Sequence, residues 1–253
     1  MLEKSVLKHL TKLKLKKNRK EELEFVVEGL KGVNDALTSA MEVILVVIDG
    51  KLRDEKDFVD IIKKAENKGV AVTYCGRQDI DKIKDTETFS GILAVIAQRN
   101  STLDNFDDGP IICLEDINDP GNLGTIIRTA DWFGFKNILL SSDTVDVYNP
   151  KTVRSTMGSV FHLNFFKTAN LFQTLEKIKK EYEYKLYALD LNGEDYKKIK
   201  SENKVVYIFG SESHGISPDI EKIVDKSYTI PGQGKAESLN VAVSAAIIMS
   251  HLS

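Results

Sequence analysis

The hydrophobic pattern divides the chain before any single residue does. Between Phe25 and Ile96, short apolar runs at Phe25–Val27, Val43–Ile48, Val70–Tyr74 and Gly91–Ile96 read as strands. They alternate with stretches of helical period at Gly29–Ala40, Asp54–Lys68 and Ile80–Lys84. This predicts a small α/β domain. From 98 to 110 the chain turns polar, loses its period and ends in Gly109-Pro110, which predicts a linker. Beyond it, strands are expected at Ile111–Glu115, Asn137–Ser141, Lys185–Leu191, Val205–Phe209 and Ser227–Ile230. Helices are expected at Leu123–Phe133, Pro150–Met157, Leu171–Tyr182, Pro218–Val224 and Ser238–Leu252. Apolar strands separated by helices predict a mainly parallel sheet covered on both faces. The expected division is therefore 1–97, 98–110 and 111–253.

Composition narrows the class. A chain of 253 residues, 42% hydrophobic and 29% charged, can bury the cores of two modest globular domains. The most apolar stretch, Val241–Met249, is too short and Ala-rich to span a membrane. The lysine-rich N-terminus lacks the apolar centre and cleavage site of a signal peptide. Cys75 and Cys113 lie in strand-like apolar runs, as expected for free buried thiols in a reducing cytoplasm. His9, His162, His214 and His251 show no paired spacing, so no metal site is expected. The net charge of −3 points to no nucleic-acid partner, but its distribution does. Lys4, Lys8, Lys12, Lys14, Lys16, Lys17, Arg19 and Lys20 crowd the N-terminus against Glu3 alone. Such a segment suits phosphates, and equally suits a solvated helix face.

Common nucleotide motifs are missing. No Gly-x-Gly-x-x-Gly follows the first strand of either domain, and Gly234-Lys235 lacks the rest of a phosphate loop. Gly210-Ser-Glu-Ser-His-Gly215 follows a strand but is no nucleophile elbow. Three loops at the C-terminal ends of expected strands remain, the usual place for ligands in open α/β sheets. The first, Asp119 to Asp131, carries Asn122 and Arg128. Arg128 stands among apolar and small residues, where a guanidinium needs an anion, either a ligand or a carboxylate such as Asp131 or Glu115. The second, Gly210 to Gly215, carries Glu212, and the third, Gly232 to Asn240, leads into the last helix. There a helix N-terminus offers unpaired N–H groups to a ligand, while Ser238 would equally serve as an N-cap.

Together, Asn122-x-Gly124-x-x-x-Arg128, Phe209-Gly-Ser-Glu212-Ser-His-Gly215 and Ile230-Pro-Gly with Ser238-Leu-Asn240 resemble the three ordered motifs of the SpoU/TrmH family. These are RNA ribose 2'-O-methyltransferases of the SPOUT superfamily. Val153-Arg-Ser-Thr-Met-Gly-Ser159 also resembles that family. Lys17-Asn-Arg19, Phe25-Val-Val-Glu-Gly29 and Phe89-Ser-Gly-Ile-Leu-Ala94 resemble the RNA-binding domain often fused to it, which is similar to ribosomal protein L30e. The family often has Ile-Pro-Met where this chain has Ile230-Pro231-Gly232, a change that spares backbone contacts.

The resemblance implies a C-terminal catalytic domain with a deep trefoil knot, an α/β L30e-like N-terminal domain, and a homodimer. It implies S-adenosylmethionine as cofactor, held by Gly210, Glu212, Ile230, Gly232, Ser238, Leu239 and Asn240. Catalysis would rest on Arg128, Asn122, Glu212, Ser238 and Asn240, and RNA binding on Lys16, Lys17, Arg19, Lys20 and Arg154. Ribosomal RNA, specifically 23S, is expected over transfer RNA. The alternative is a non-catalytic RNA-binding protein with a decayed pocket, against which the joint presence of Arg128, Glu212, Ser238 and Asn240 argues.

Overall fold

The structure is a computed structural model that describes residues 2–253 except Thr86, Thr88, Asn100, Glu212 and Ser213. The chain forms two compact units, Met1–Arg99 with Asp146–Phe161, and Asn100–Val145 with His162–Ser253.

The first unit begins with two helices, α1 (Lys4–Leu13) and α2 (Lys16–Glu22). In α1, Lys4, Lys8 and Lys12 face water while Leu10 and Leu13 are buried, so these three lysines form the polar face of an amphipathic helix. There follow β1 (Glu24–Glu28), α3 (Leu30–Thr38), β2 (Val43–Asp49), α4 (Lys56–Asn67), β3 (Ala71–Cys75), α5 (Arg77–Ile83) and β4 (Ile92–Ala97). The sheet order is β1-β4-β2-β3, with β4 antiparallel to both neighbours and β2 parallel to β3. The uninterrupted apolar run of β4 suits its inner place, since five of its residues are buried in succession. The alternating burial of β1 suits an edge.

The second unit opens with the segment expected to be a linker, which is anchored in part. Leu103 and Phe106 pack on this unit's core, and the Tyr182 hydroxyl donates to Asp104 at 2.9 Å. Then come β5 (Ile111–Leu114), α6 (Pro120–Trp132) and β6 (Asn137–Leu140). Helix α6 starts ahead of its expected first residue because Asp119 caps it, accepting from Asn122 N at 2.8 Å, with Pro120 in the first turn. Residues Asp146–Phe161, with α7 (Pro150–Thr156), belong to the first unit. The second unit continues with β7 (Asn164–Lys167), α8 (Leu171–Glu181), β8 (Lys185–Asp195), β9 (Val205–Phe209), α9 (Pro218–Glu221), β10 (Lys226–Thr229) and α10 (Val241–Leu252).

Its six strands run in the order β10-β8-β9-β5-β6-β7, all parallel, as the sequence pattern predicts. Leu171, Leu175 and Ile178 of α8 and Ile220 of α9 share a core with Cys113, Leu186, Val206 and Ile208 of the sheet. Strand β8 is irregular. Ser227 of β10 pairs with Ala188 of β8, but the next residue, Tyr228, pairs with Glu194. Residues 189–193 therefore have no partner in β10, although Leu189 still pairs with Phe209 of β9, and Gly193 passes so close to β10 that a Cβ there would lie 2.6 Å from the Ser227 carbonyl. Cys75 and Cys113 are buried and free, and burial pushes both thiols up, Cys75 to about 11. No described helix is long and apolar enough to cross a membrane.

Candidate active site

Strand order places the site. From β5 the chain runs outward through β6 and β7, then returns to build β8, β9 and β10 on the other side of β5. The loops after β5 and β9 diverge at this reversal, the crevice where open parallel sheets bind ligands. One cavity of about 390 Å³ opens beside it, at the C-terminal ends of β9 and β10. Gly210, Ile230, Ser238 and Leu239, each expected to hold cofactor, all line it.

Gly210 follows β9 under a tight constraint. The loop closes on itself through Ser211 N donating to Gly215 O at 3.0 Å and Gly215 N donating to Ser211 O at 2.9 Å. A Cβ on Gly210 would sit 2.1 Å from the Gly215 carbonyl and 2.5 Å from Ile216 N. Only glycine fits without moving backbone. Gly215 itself has φ +66, in the left-handed region. Glu212 lies outside the described residues.

The third motif is assigned differently from the expected helix start. Helix α10 begins at Val241, and its cap is Asn240, not Ser238. Asn240 Oδ1 accepts from Ala242 N at 2.9 Å and from Val243 N at 3.4 Å. Ser238 thereby stays in the exposed loop, where it lines the cavity. The same Asn240 side chain donates from Nδ2 to Asn122 Oδ1 at 3.1 Å, joining the first and third motifs across 118 residues of sequence. Asn240 and Gly232 do not line the cavity themselves.

Arg128 reaches solvent from α6, although its neighbours Ile126, Ile127 and Ala130 are buried. The two carboxylates considered as internal partners are engaged elsewhere: Asp131 pairs with His162 at 2.9 Å, and Glu115 accepts from Ser217 N at 3.0 Å. Among the described residues, no carboxylate pairs with Arg128. No described carboxylate thus competes with an external anion for its charge.

The basic candidates separate in the same way. Lys16, Lys17 and Lys20 are exposed on α2. Arg19 is 2% exposed and cannot serve as a phosphate contact, which corrects that expectation. Its Nη1 donates to the carbonyls of Leu13 and Lys14, left open at the end of α1, while Nε and Nη2 donate to Asp146 Oδ2. Arg154 pairs with Asp85 at 2.6 Å, both side chains partly exposed. Sequence reasoning missed the cavity residues Leu189, Asp190 and Leu191; an acidic residue followed by Asn192-Gly193 in a strand-like run was the available signal. His214 and Glu237 also line the cavity. Among the described residues, no cluster of His, Cys, Asp and Glu could hold a metal ion.

With this geometry, comparison with known proteins becomes specific. The profile of the SpoU rRNA Methylase family matches residues 109–250, and that of the MRM3-like substrate binding domain matches residues 4–94. The chain belongs to the SpoU rRNA methylase family. It is 32% identical over 247 residues to the 23S rRNA (guanosine(2553)-2'-O)-methyltransferase RlmP of Bacillus subtilis, covering 97% of this chain and 95% of the relative. It is 26% identical over 231 residues to the 23S rRNA (guanosine-2'-O-)-methyltransferase RlmB of Acinetobacter baylyi, covering 87% and 93% respectively. The AdoMet-bound rRNA methyltransferase from Sinorhizobium meliloti superposes over 100% of this chain and 95% of its own, with TM-score 0.86 and 29% identity. For this SpoU member, the three motifs are thus read on a matching fold.

Proposed function

We propose that this chain transfers the methyl group of S-adenosylmethionine to a ribose 2'-hydroxyl of structured RNA, 23S ribosomal RNA rather than transfer RNA. The observation that carries the reading is the Asn240–Asn122 hydrogen bond, which ties the loop lining the cavity to the helix bearing Arg128. The residues present fit the cofactor. A cavity of about 390 Å³ has the size of a small-molecule site. Leu189, Leu191, Ile230 and Leu239 offer apolar walls, while Asp190, Glu237 and Ser238 offer polar contacts. The bound cofactor supplies an already activated methyl group.

The chain's own work is positioning and proton handling. Gly210 and the loop around it hold backbone atoms at the cavity wall, where a side chain would intrude. Asn240 fixes the α10 terminus and Asn122 together. A guanidinium stays protonated, so Arg128 is no resting base. It would hold an RNA phosphate that accepts the proton, or stabilise the alkoxide as it forms. Ser238 would complete the proposed site from its loop, with Glu212 as the family resemblance implies.

Residues 1–97 would bind RNA through Lys16, Lys17, Lys20 and Arg154 from 146–161, with 98–110 joining them to the catalytic part, 111–253. A homodimer is supported by the open face where Ala242, Val243, Ala246 and Ile247 of α10 meet Thr125 and Phe133 of α6; Val243 is 47% exposed. The trefoil knot implied by the resemblance accords with the close backbone passage of Gly193 against Ser227. Free thiols at Cys75 and Cys113 accord with a cytoplasmic setting. The test is site-resolved mapping of 2'-O-methylation in total RNA from cells with and without this protein, plus methyl transfer in vitro. One ribose in 23S RNA should lose its mark; unchanged maps with no transfer in vitro would refute the reading.

A further inference from the structure

A separate cavity of about 310 Å³ lies wholly within the first unit. Its walls are mostly apolar: Leu13 of α1, Val26 of β1, Leu93 of β4, and Val153, Met157 and Phe161 from α7 and the residues after it. That volume falls in the range of small-ligand sites. The proposed methyl transfer makes no use of it. The rim is charged, and its charges are unequally committed. Lys31 Nζ donates to Asp35 Oδ2 at 2.7 Å and to the Met157 carbonyl at 2.9 Å, so the fold itself holds it. Glu28 Oε2 accepts from Asp85 N at 3.3 Å. Lys14 and Arg154 are less engaged. Lys14 Nζ donates to the Lys84 carbonyl at 2.7 Å, and no described carboxylate pairs with it. Arg154 Nη1 meets Asp85 Oδ2 at 2.6 Å in a partly exposed pair of the weak kind. Because residues 84 and 85 are consecutive, the two cations converge on one stretch of the rim, Lys14 from the end of α1 and Arg154 from α7.

We propose that this cavity holds one unpaired nucleobase of the RNA substrate, while Lys14 and Arg154 grip the adjoining phosphate as Asp85 gives way. This rests on the reading of the chain as an RNA methyltransferase, and it extends the RNA contact from charged side chains to a defined pocket. An apolar recess with two recruitable cations on its rim matches the two halves of a nucleotide. The flat ring enters the recess, and the phosphate stays outside with the cations. Single-stranded bases are commonly splayed out and held in this way, on rings and apolar surfaces beside positive charge. An apolar protein segment would suit the walls but leave Lys14 and Arg154 without an anion.

The probe is a 23S ribosomal RNA transcript lacking modifications, titrated with the full-length protein. Two exchanges enlarge side chains on two walls, Val26→Phe on β1 and Val153→Phe on α7. Filling a cavity commonly stabilises a fold, so neither should lower Tm. Each should weaken RNA binding about 10-fold, the scale of one lost base contact. Neither removes a phosphate contact, so the slope of log affinity against log salt should match wild type. Lys14→Gln should instead flatten that slope by about 0.7, the single-strand value for one phosphate. Ultraviolet crosslinking of the wild-type protein to the same transcript, followed by peptide mapping, should place a nucleotide on residues 10–14, 26–29 or 150–161.

Full RNA affinity in both phenylalanine variants would overturn the proposal. So would a weakened affinity with a flatter salt slope, since phosphate contacts alone would then have been lost. If both variants fail to fold, the crosslinking map decides: crosslinks confined to other segments of the RNA-bound wild type refute the pocket. If the exchanges spare RNA binding and change sedimentation, the cavity seats a protein surface and the proposal falls. Crosslinks at the cavity without methyl transfer would leave the nucleotide pocket standing and defeat the enzymatic reading. Methyl transfer with no crosslink at the cavity would do the reverse.

Discussion

Replacing Asn240 separates two roles that its side chain holds at once. Its Oδ1 caps α10 by accepting from Ala242 N and Val243 N, and its Nδ2 donates to Asn122 Oδ1 at 3.1 Å. Alanine removes both. Loss of the cap costs about 0.5–2 kcal/mol, and loss of a neutral side-chain hydrogen bond about 0.5–1.5 kcal/mol. For a chain of this size, 1 kcal/mol corresponds to about 2–4 °C in Tm, so Asn240→Ala should melt several degrees lower. Aspartate keeps the acceptor oxygen and places a negative charge at a helix N-terminus, worth about 0.3–1 kcal/mol in its favour. It cannot donate to Asn122, so the bond survives only if the Asn122 amide turns to present its Nδ2 to the carboxylate. Asn240→Asp should therefore keep its Tm within about 2 °C yet lose at least about 10-fold in methyl transfer, the cost of about 1.4 kcal/mol in positioning. The assay is single-turnover transfer from labelled S-adenosylmethionine to ribosomal RNA, with melting curves on the same preparations. Wild-type transfer by Asn240→Asp would refute the coupling between α10 and α6 as a catalytic device and leave Asn240 as a cap alone.

Arg128→Lys and Arg128→Ala should stay folded and bind cofactor, and lose about 100-fold or more in single-turnover rate; near-normal transfer by either would sink the role given to Arg128. Gly210→Ala should abolish cofactor binding by calorimetry, because its Cβ would lie 2.1 Å from the Gly215 carbonyl, whereas unaltered affinity would show that the loop is not held as described. Arg19→Gln should lower stability by about 3–5 kcal/mol, as expected when one side of a buried ion pair is removed, while the triple exchange of Lys16, Lys17 and Lys20 for Gln should spare Tm and flatten the salt dependence of RNA binding by about 0.9 per lost phosphate contact. Asp85→Asn should tighten RNA binding by freeing Arg154, and equal or weaker binding would remove Arg154 from the RNA surface.

The sheet of the second unit was legible because β5, β6 and β9 are buried throughout and their sequences are correspondingly apolar. The first two motif loops were legible because they follow β5 and β9, whereas the third follows β10, in which only Tyr228 is buried. Strand β7 was missed, and for a physical reason: it is a four-residue edge strand in which only Phe165 is buried, too short to show a period. The cap of α10 was misplaced because Ser238 and Asn240 are equally good cap residues by type. The loop from 231 to 240 is exposed throughout, so burial gave no sign of where the helix starts. The buried fate of Arg19 could not be read beside Lys16, Lys17 and Lys20, since its partner Asp146 lies 127 residues away.

Three arginines show why residue type and local context do not settle a role. Arg19 has its donors taken by Asp146 and two helix-terminal carbonyls within a buried site. Such a guanidinium is part of the fold, and binding a phosphate would require breaking it. Arg154 meets a single carboxylate, Asp85, with both side chains partly open to water. Exposed pairs of this kind are weak, so an RNA phosphate can displace Asp85 at little cost. Arg128 has apolar neighbours in sequence, yet projects from the helix to solvent without a described carboxylate beside it. Retaining a cation with no described carboxylate partner adds nothing to stability through the described residues. It does preserve a planar, charged donor for an anion that arrives with the substrate, and its position on the helix tied to Asn240 fixes where that anion must sit.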